Sequence, residues 1–237
     1  MYITSLSFTF YCRKDFYIKT TILFDLDGTL TDSAPGIIET MQYALNKKGI
    51  IPPDDLHFIL GSPLIDTFIN TFHMSQQSAK EAYQYYYKRY AEKGMYQNSV
   101  FEGVKEMLSE LKKHGKKLAV ATSKSEDFAN EIIEHFELSE YFDCIAGNHL
   151  NTRDTKAKVV CYALEQLQCN PESAILVGDR MYDIIGGKTA GVNVIGVLYG
   201  YGEMQELQQY GADAIAKTPQ DVVEIILNWY KRTEPFY

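Results

Sequence analysis

Clustered cysteines, an excess of positive charge and long apolar runs are all missing from this chain, and each absence closes a class of function. Its four cysteines, Cys12, Cys144, Cys161 and Cys169, form no C-x-x-C pair and no zinc-like spacing. Such a set suits a reducing compartment, so a cytoplasmic protein is expected. Lys and Arg total 23 against 31 Asp and Glu, a net charge of −8. Nucleic-acid affinity comes mainly from Lys and Arg on phosphates, so a nucleic-acid partner is not expected. A small anionic ligand stays open, because a metal ion and a few placed cations reverse the local field. The apolar, aromatic stretch Met1 to Cys12 is too short to span a bilayer. Arg13-Lys14 follow it rather than precede it, unlike a signal peptide. Residues 1–20 are therefore read as an extension before the fold, and no membrane association is expected. Internal repeats and low-complexity tracts are also missing. What remains is 237 residues, 46% hydrophobic, enough for one large domain or a core with a small insert.

Two segments carry chemistry. In Ile22-Leu23-Phe24-Asp25-Leu26-Asp27-Gly28-Thr29, an apolar run ends in two acids and a glycine turn. That is the pattern of a buried strand presenting carboxylates at its carboxyl end. Two carboxylates this close repel unless a cation or a shared proton relieves them. An Asx turn closing a strand would explain one Asp-Gly, but not a second acid beside it and matching acids downstream. Ala174-Ile175-Leu176-Val177-Gly178-Asp179 repeats the pattern, and Asp183 follows one helical turn later. Asp25, Asp27 and Asp179 offer oxygen only, which suits a hard cation such as Mg²⁺.

Apolar runs alternate with amphipathic stretches along most of the chain. Strands are expected over 21–25, 117–122, 141–146, 174–178, 192–197 and 213–216. Val104, Met107, Leu108 and Leu111 recur at helical spacing between two of them. Alternation of this kind predicts an α/β fold, a doubly wound, mainly parallel sheet with helices on both faces. Ligands bind such sheets beyond the carboxyl ends of the strands, where the acids lie. Residues 33–99 break the alternation and show only helical patterns. Ser33 is a candidate N-cap with Pro35 in the first turn, and Gly49 a stop. Further helices are expected over 63–72 and 75–93. The expected division is a helical insert over 33–99 and a core formed by 21–32 and 100–237. Linkers near 31–34 and 98–103 would join the two.

Two weaker sites complete the set. Thr122 ends the run Leu118-Ala119-Val120-Ala121, where its hydroxyl and the backbone N–H groups of Ser123 and Lys124 could hold a phosphoryl oxygen. Thr is also common in strands, and Ser in turns. Lys156 sits where a helix starts, facing the positive end of its dipole, a conflict that a bound anion would remove. The plain alternative is a solvated surface lysine, the fate of most lysines, and Lys158 competes for the role.

Taken together these residues resemble the haloacid dehalogenase superfamily in its phosphatase form, over residues 20 to about 230. The resemblance implies that Asp25 is the nucleophile and Asp27 the general acid and base, with the Asp27 backbone carbonyl helping to hold Mg²⁺. Thr122 and Lys156 correspond to the second and third motifs, Lys156 neutralising Asp25 and the phosphoryl group. Asp179 ligates the metal and Asp183 supports it. The metal set is thus Asp25, Asp27, Asp179 and Asp183, with Gly28, Thr29, Ser123 and Lys124 expected at the substrate. The helical insert corresponds to the family's cap, with Gly61-Ser62-Pro63-Leu64 as a loop lowered toward the site. Val197-Leu198-Tyr199-Gly200-Tyr201-Gly202 is similar to the phosphoglycolate phosphatase and 5′-nucleotidase branch. Ser125 and Glu102 depart from it, since proline is usual after the Lys124 position and before Gly103. Tyr83, Tyr85, Tyr86, Tyr87 and Tyr90 crowd one helix with Lys88 and Arg89. Arg89 is expected to hold a substrate carboxylate or second phosphate, while most of the tyrosines pack. The implied protein is a monomeric or homodimeric Mg²⁺-dependent hydrolase of a small phosphorylated metabolite, phosphoglycolate or a nucleoside monophosphate. A sugar-phosphate mutase is a competing reading, which Thr29 disfavours. A sensor without activity is disfavoured because all four acids are present.

Overall fold

A computed structural model describes residues 19–149 and 152–229. The expectations for residues 1–18 lie outside the described residues. Lys19 already belongs to the fold: its Nζ donates to Asn193 Oδ1 at 2.7 Å, and the Thr20 amide donates to the Ser173 carbonyl.

Six strands form one parallel sheet: β1 (Thr21–Phe24), β4 (Lys117–Ser125), β5 (Cys144–Asn148), β6 (Ala174–Gly178), β7 (Asn193–Val197) and β8 (Ala214–Ala216). Their order is β5-β4-β1-β6-β7-β8. β1 is central and fully buried, so its side chains are apolar on both faces. The chain builds outward from β1 to one side and then to the other. The crevice beyond its carboxyl end is therefore the topological switch point where such sheets take ligands.

The covering helices are α4 (Val104–Lys113), α5 (Glu126–His135), α6 (Lys156–Gln166), α7 (Met181–Thr189), α8 (Met204–Gln209) and α9 (Pro219–Leu227). Two apolar clusters result. Phe24, Leu108, Val120, Ile133 and Val177 belong to one, and Leu23, Ala121, Val160, Leu176 and Val194 to the other. Alternate residues of β1 feed opposite clusters, as the two-residue repeat of a strand requires.

Between β2 (Thr31–Asp32) and β3 (Ser99–Val100) every element is helical: α1 (Ala34–Lys47), the short α2 (Leu64–Asp66) and α3 (Gln76–Glu92), with single tight turns. The helix expected over 63–72 is α2 continued by a wider-wound π-helical turn over Thr67–Thr71. Ser75 caps α3 by accepting the Ser78 amide, whereas Ser33, at the start of α1, makes no such bond. The Ala34 amide instead donates to the Tyr201 hydroxyl at 2.9 Å. The two linkers are not loose loops. They pair with each other as the antiparallel ribbon β2–β3, Thr31 opposite Val100. Among the described residues no helix is long and apolar enough to cross a membrane.

Candidate active site

The strand register brings the tips together. Phe24 of β1 lies level with Val120 of β4 and Val177 of β6. Asp25 is thus one residue past this row, and Thr122 and Asp179 two past it. Oxygens of Asp25, Asp179 and Asp183 all lie within 4.8 Å of one another. Asp179 is fully buried, with the Thr29 hydroxyl donating to its Oδ1 at 3.2 Å and the Tyr201 amide to its Oδ2 at 2.8 Å. Glycine makes the room: a Cβ on Gly28, whose φ is +80°, would lie 2.2 Å from Asp179 Oδ2. A Cβ on Gly200 would lie 2.0 Å from the Gly28 carbonyl oxygen. Asp183, in the first turn of α7, accepts the Arg180 amide at 3.0 Å.

Lys156 is the first residue of α6, held there by Thr155, whose hydroxyl accepts the Lys158 amide. Its Nζ is buried at ion-pair distance from two acids, 2.8 Å from Asp25 Oδ1 and 2.7 Å from Asp183 Oδ1. Lys158 instead points to Asp154 at the surface. Burial works against the Lys156 charge, but Asp183 and Asp25 outweigh it and hold its pKa above the ordinary lysine value. Burial pushes Asp179 well up, and Asp183 and Asp25 add to the push. Burial likewise raises Asp183 to about 6, against the pull of Lys156. Three carboxylates with one ammonium are short of positive charge. An all-oxygen set of this kind fits a divalent cation, which would relieve the repulsion that raises the two buried acids.

The Asp27 side chain turns away from that cluster. Its Oδ2 lies 3.0 Å from Lys124 Nζ, and its Oδ1 is buried with no hydrogen-bond partner. Thr122 is buried, and its oxygen accepts the Lys124 amide at 3.2 Å. This corrects the expectation of a free Lys124 N–H. β4 runs on to Ser125, which pairs with Asn148 after a register shift, so the segment is irregular strand rather than open turn. The Thr122 hydroxyl proton remains available to donate.

Arg89 is not brought to the strand tips. Packing of α3 on α1 hands its guanidinium to Glu39, and it lies 5.2 Å from the Tyr43 ring. The tyrosines of α3 mostly pack: Tyr86 and Tyr90 stack at 5.7 Å, and Tyr87 and Tyr90 meet Phe128 of α5 at 4.7 and 5.3 Å.

Three residues at the site were not singled out from the sequence as site residues. Tyr201 holds Asp179 by its amide, and its hydroxyl donates to Asp32 Oδ1 at 3.1 Å. Arg180 binds Glu206 at 2.9 Å and the Leu60 carbonyl, which brings the Gly61 loop against the α7 start. Tyr90 accepts a hydrogen bond from Lys124 Nζ at 2.8 Å. The glycines flanking Tyr201 were the visible signal for the first. A cleft of about 550 Å³ between α4 and α9, lined by residues such as Lys105, Glu106 and Val223, holds none of the strand-tip residues.

Known proteins resemble the chain along most of its length. Residues 22–197 match the profile of the haloacid dehalogenase-like hydrolases. A 5′-nucleotidase from Pseudomonas aeruginosa is 41% identical over 192 residues, covering 80% of this chain and 87% of its own. Tyrosine-protein kinase PtkA from Mycobacterium tuberculosis is 40% identical over 205 residues, 85% of this chain and 67% of that protein. The crystal structure of a predicted phosphatase from Clostridium acetobutylicum superposes with a TM-score of 0.85 at 40% identity, covering 89% of this chain and 99% of that one. The chain belongs to the haloacid dehalogenase-like hydrolases, and it is a phosphoric monoester hydrolase of that family.

Proposed function

We propose that the protein hydrolyses a small phosphomonoester through an aspartyl-phosphate on Asp25, with Mg²⁺ held by Asp25, Asp179 and Asp183 and by the Asp27 backbone carbonyl. The carrying observation is the convergence of those three carboxylates within 4.8 Å, with the Lys156 ammonium beside Asp25. Asp25 attacks phosphorus, and the bond to the leaving oxygen breaks. Asp27 gives that oxygen its proton. Asp27 then takes a proton from the water that cleaves the acyl-phosphate. Splitting one displacement into two lowers each barrier. Lys156 and the Thr122 hydroxyl share the charge of the phosphoryl oxygens. The cation, when bound, adds Lewis-acid neutralisation of the same charge.

Residues 33–99 act as a cap that screens the site from water and supplies substrate selection. A nucleoside monophosphate is the favoured substrate, on the similarity to a 5′-nucleotidase at 41% identity. Phosphoglycolate is the second reading, on the resemblance carried by Val197 to Gly202.

A panel of phosphorylated metabolites, read by phosphate release, tests both. Mononucleotides should give the peak. Asp25→Asn and EDTA treatment should each lower turnover by at least about 10³-fold. Retained activity in either would refute the scheme. ATP with a tyrosine-containing protein serves as control, since transfer to tyrosine rather than to water would replace hydrolysis by kinase chemistry.

A further inference from the structure

Asp27 reaches the cap through two further residues. Lys124 Nζ lies 3.0 Å from Asp27 Oδ2 and donates to the Tyr90 hydroxyl at 2.8 Å, with the Tyr90 ring centroid 4.2 Å away. Tyr90 is 1% exposed and comes from α3, across the boundary between the helical segment and the sheet. Its ring is fixed by Tyr86 on one side and by Phe128 of α5 on the other. A lysine stem is flexible, so an ammonium that must sit beside one oxygen needs a second anchor. The phenol supplies it.

The consequence falls on the two oxygens of Asp27. Oδ2 faces an ammonium, which donates and does not accept. Oδ1 is buried without a partner. Oδ1 is therefore the Asp27 oxygen that Lys124 leaves unengaged. We propose that Tyr90, acting through Lys124, is a positioning residue that fixes the Asp27 carboxyl with Oδ2 on Lys124 and Oδ1 as the oxygen left for proton transfer. The proposal rests on the phosphatase reading and adds to it a residue supplied by the helical segment. In the first step the Oδ1–H bond breaks, its proton passes to the bridging oxygen as the P–O bond breaks, and Asp27 is left a carboxylate opposite Lys124. Side-chain function for Lys124 is then tied to the acid and not to the substrate.

Leaving-group dependence tests this. An alkyl phosphate needs a proton on its leaving oxygen, whereas p-nitrophenyl phosphate departs as a stable anion. kcat/KM is compared for both esters in wild type and Tyr90→Phe, a change that keeps the ring and removes only the hydroxyl. The alkyl-to-aryl ratio should fall about tenfold, a fraction of the 10² or more that a placed general acid contributes. Equal losses on both esters, or an unchanged ratio, would overturn the proposal. Should Tyr90→Phe fail to fold, Lys124→Met reads the same relay from the core side, with a fall in the ratio at least as large expected.

A second readout needs no turnover. Acylation of Lys124 by an amine reagent, followed by mass spectrometry of the full chain, should be several-fold faster in Tyr90→Phe than in wild type. Equal rates would sink the relay. Should wild type release phosphate from neither ester, the hydrolase reading fails, and the acylation comparison alone decides the relay.

Discussion

Replacing Asp179 by Asn should make the metal-free protein more stable while abolishing its response to Mg²⁺. The substitution keeps shape and hydrogen bonds: the amide oxygen can still accept the Tyr201 N–H, and the amide nitrogen can donate to the Thr29 oxygen. Only the charge goes. At 4.8 Å, the widest separation among the clustered oxygens, two unit charges repel by about 3.5 kcal/mol at an effective dielectric of about 20. Asp179 has two such neighbours, Asp25 and Asp183, while Lys156 contacts those two acids and not Asp179. Protonation already relieves part of the repulsion in the metal-free protein, since burial and both neighbours push Asp179 well up. A net gain of about 1–3 kcal/mol remains, or roughly 2–12 °C in Tm for a chain of this size. Wild type should gain about 2.7 kcal/mol from Mg²⁺ at a hundredfold excess over its Kd, and the variant close to none. Thermal melts of both proteins in EDTA and in Mg²⁺ give all four values. A variant that melts at or below wild type in EDTA, or that keeps the Mg²⁺ increment, would refute the charge argument.

The same crowding predicts a pH dependence of definite sign. Asp183 is raised from 3.8 to about 6, so the folded metal-free protein binds more protons than the unfolded chain across that interval. Its stability should therefore fall as pH rises from about 4 to 6, by up to about 3 kcal/mol, and Mg²⁺ should flatten the profile in chemical denaturation. Lys156→Met leaves Asp25 and Asp183 without their cation and should cost about 3–5 kcal/mol in the metal-free protein, read as a lower denaturant midpoint. Gly200→Ala would set a methyl 2.0 Å from the Gly28 carbonyl and 2.6 Å from Asp179 Cβ. Neither neighbour is a flexible side-chain end, so Mg²⁺ affinity by calorimetry should weaken at least about tenfold.

Legibility in the sequence followed the physics of each feature. β6 spans 174–178 as read, because an apolar run closed by a turn on one side and an acid on the other has one reading. β5 was expected over 141–146 and lies at Cys144–Asn148. Tyr141 closes a tight turn, and Tyr141 and Phe142 pack on the core from outside the strand, so their apolar character misplaced the start. The β2–β3 ribbon could not be read at all. Two residues have no periodicity, and their partners are far away in sequence. At the site, Asp25, Asp179, Asp183 and Lys156 were visible because each ends a strand or opens a helix, positions that local pattern marks. Arg89 was misleading for the opposite reason. Its partner Glu39 is fixed by the packing of α1 on α3, which no window on either helix contains. Lys124 and Tyr201 belong to the same class, their side-chain hydrogen-bond partners Tyr90 and Asp32 lying on other segments.

Three polar contacts bridge the segment from Ala34 to Tyr96 and the residues around the acids. Arg180 reaches the Leu60 carbonyl, Lys124 reaches Tyr90, and the Ala34 amide reaches Tyr201. If this segment lifts to admit substrate, all three are exposed to water together. At about 1–2 kcal/mol each, they favour the seated form by roughly 3–6 kcal/mol. On these three alone the lifted population would be near 10⁻³, and lower once the Tyr96–Glu131 bond and the Phe128 ring contacts are counted, with at least about a thousandfold loss of apparent affinity for a ligand that binds only that form. Substrate binding energy therefore has to be realised mainly in the seated form. The groups able to realise it there are those that the bridges hold in place: Asp27 through Lys124, Asp179 through Tyr201, and the start of α7 through Arg180. Each bridge thus ends on a residue adjoining one of the acids. A substrate that seats the segment incompletely would then lose turnover as well as affinity, so discrimination between nucleotide and phosphoglycolate is expected in kcat as well as in KM.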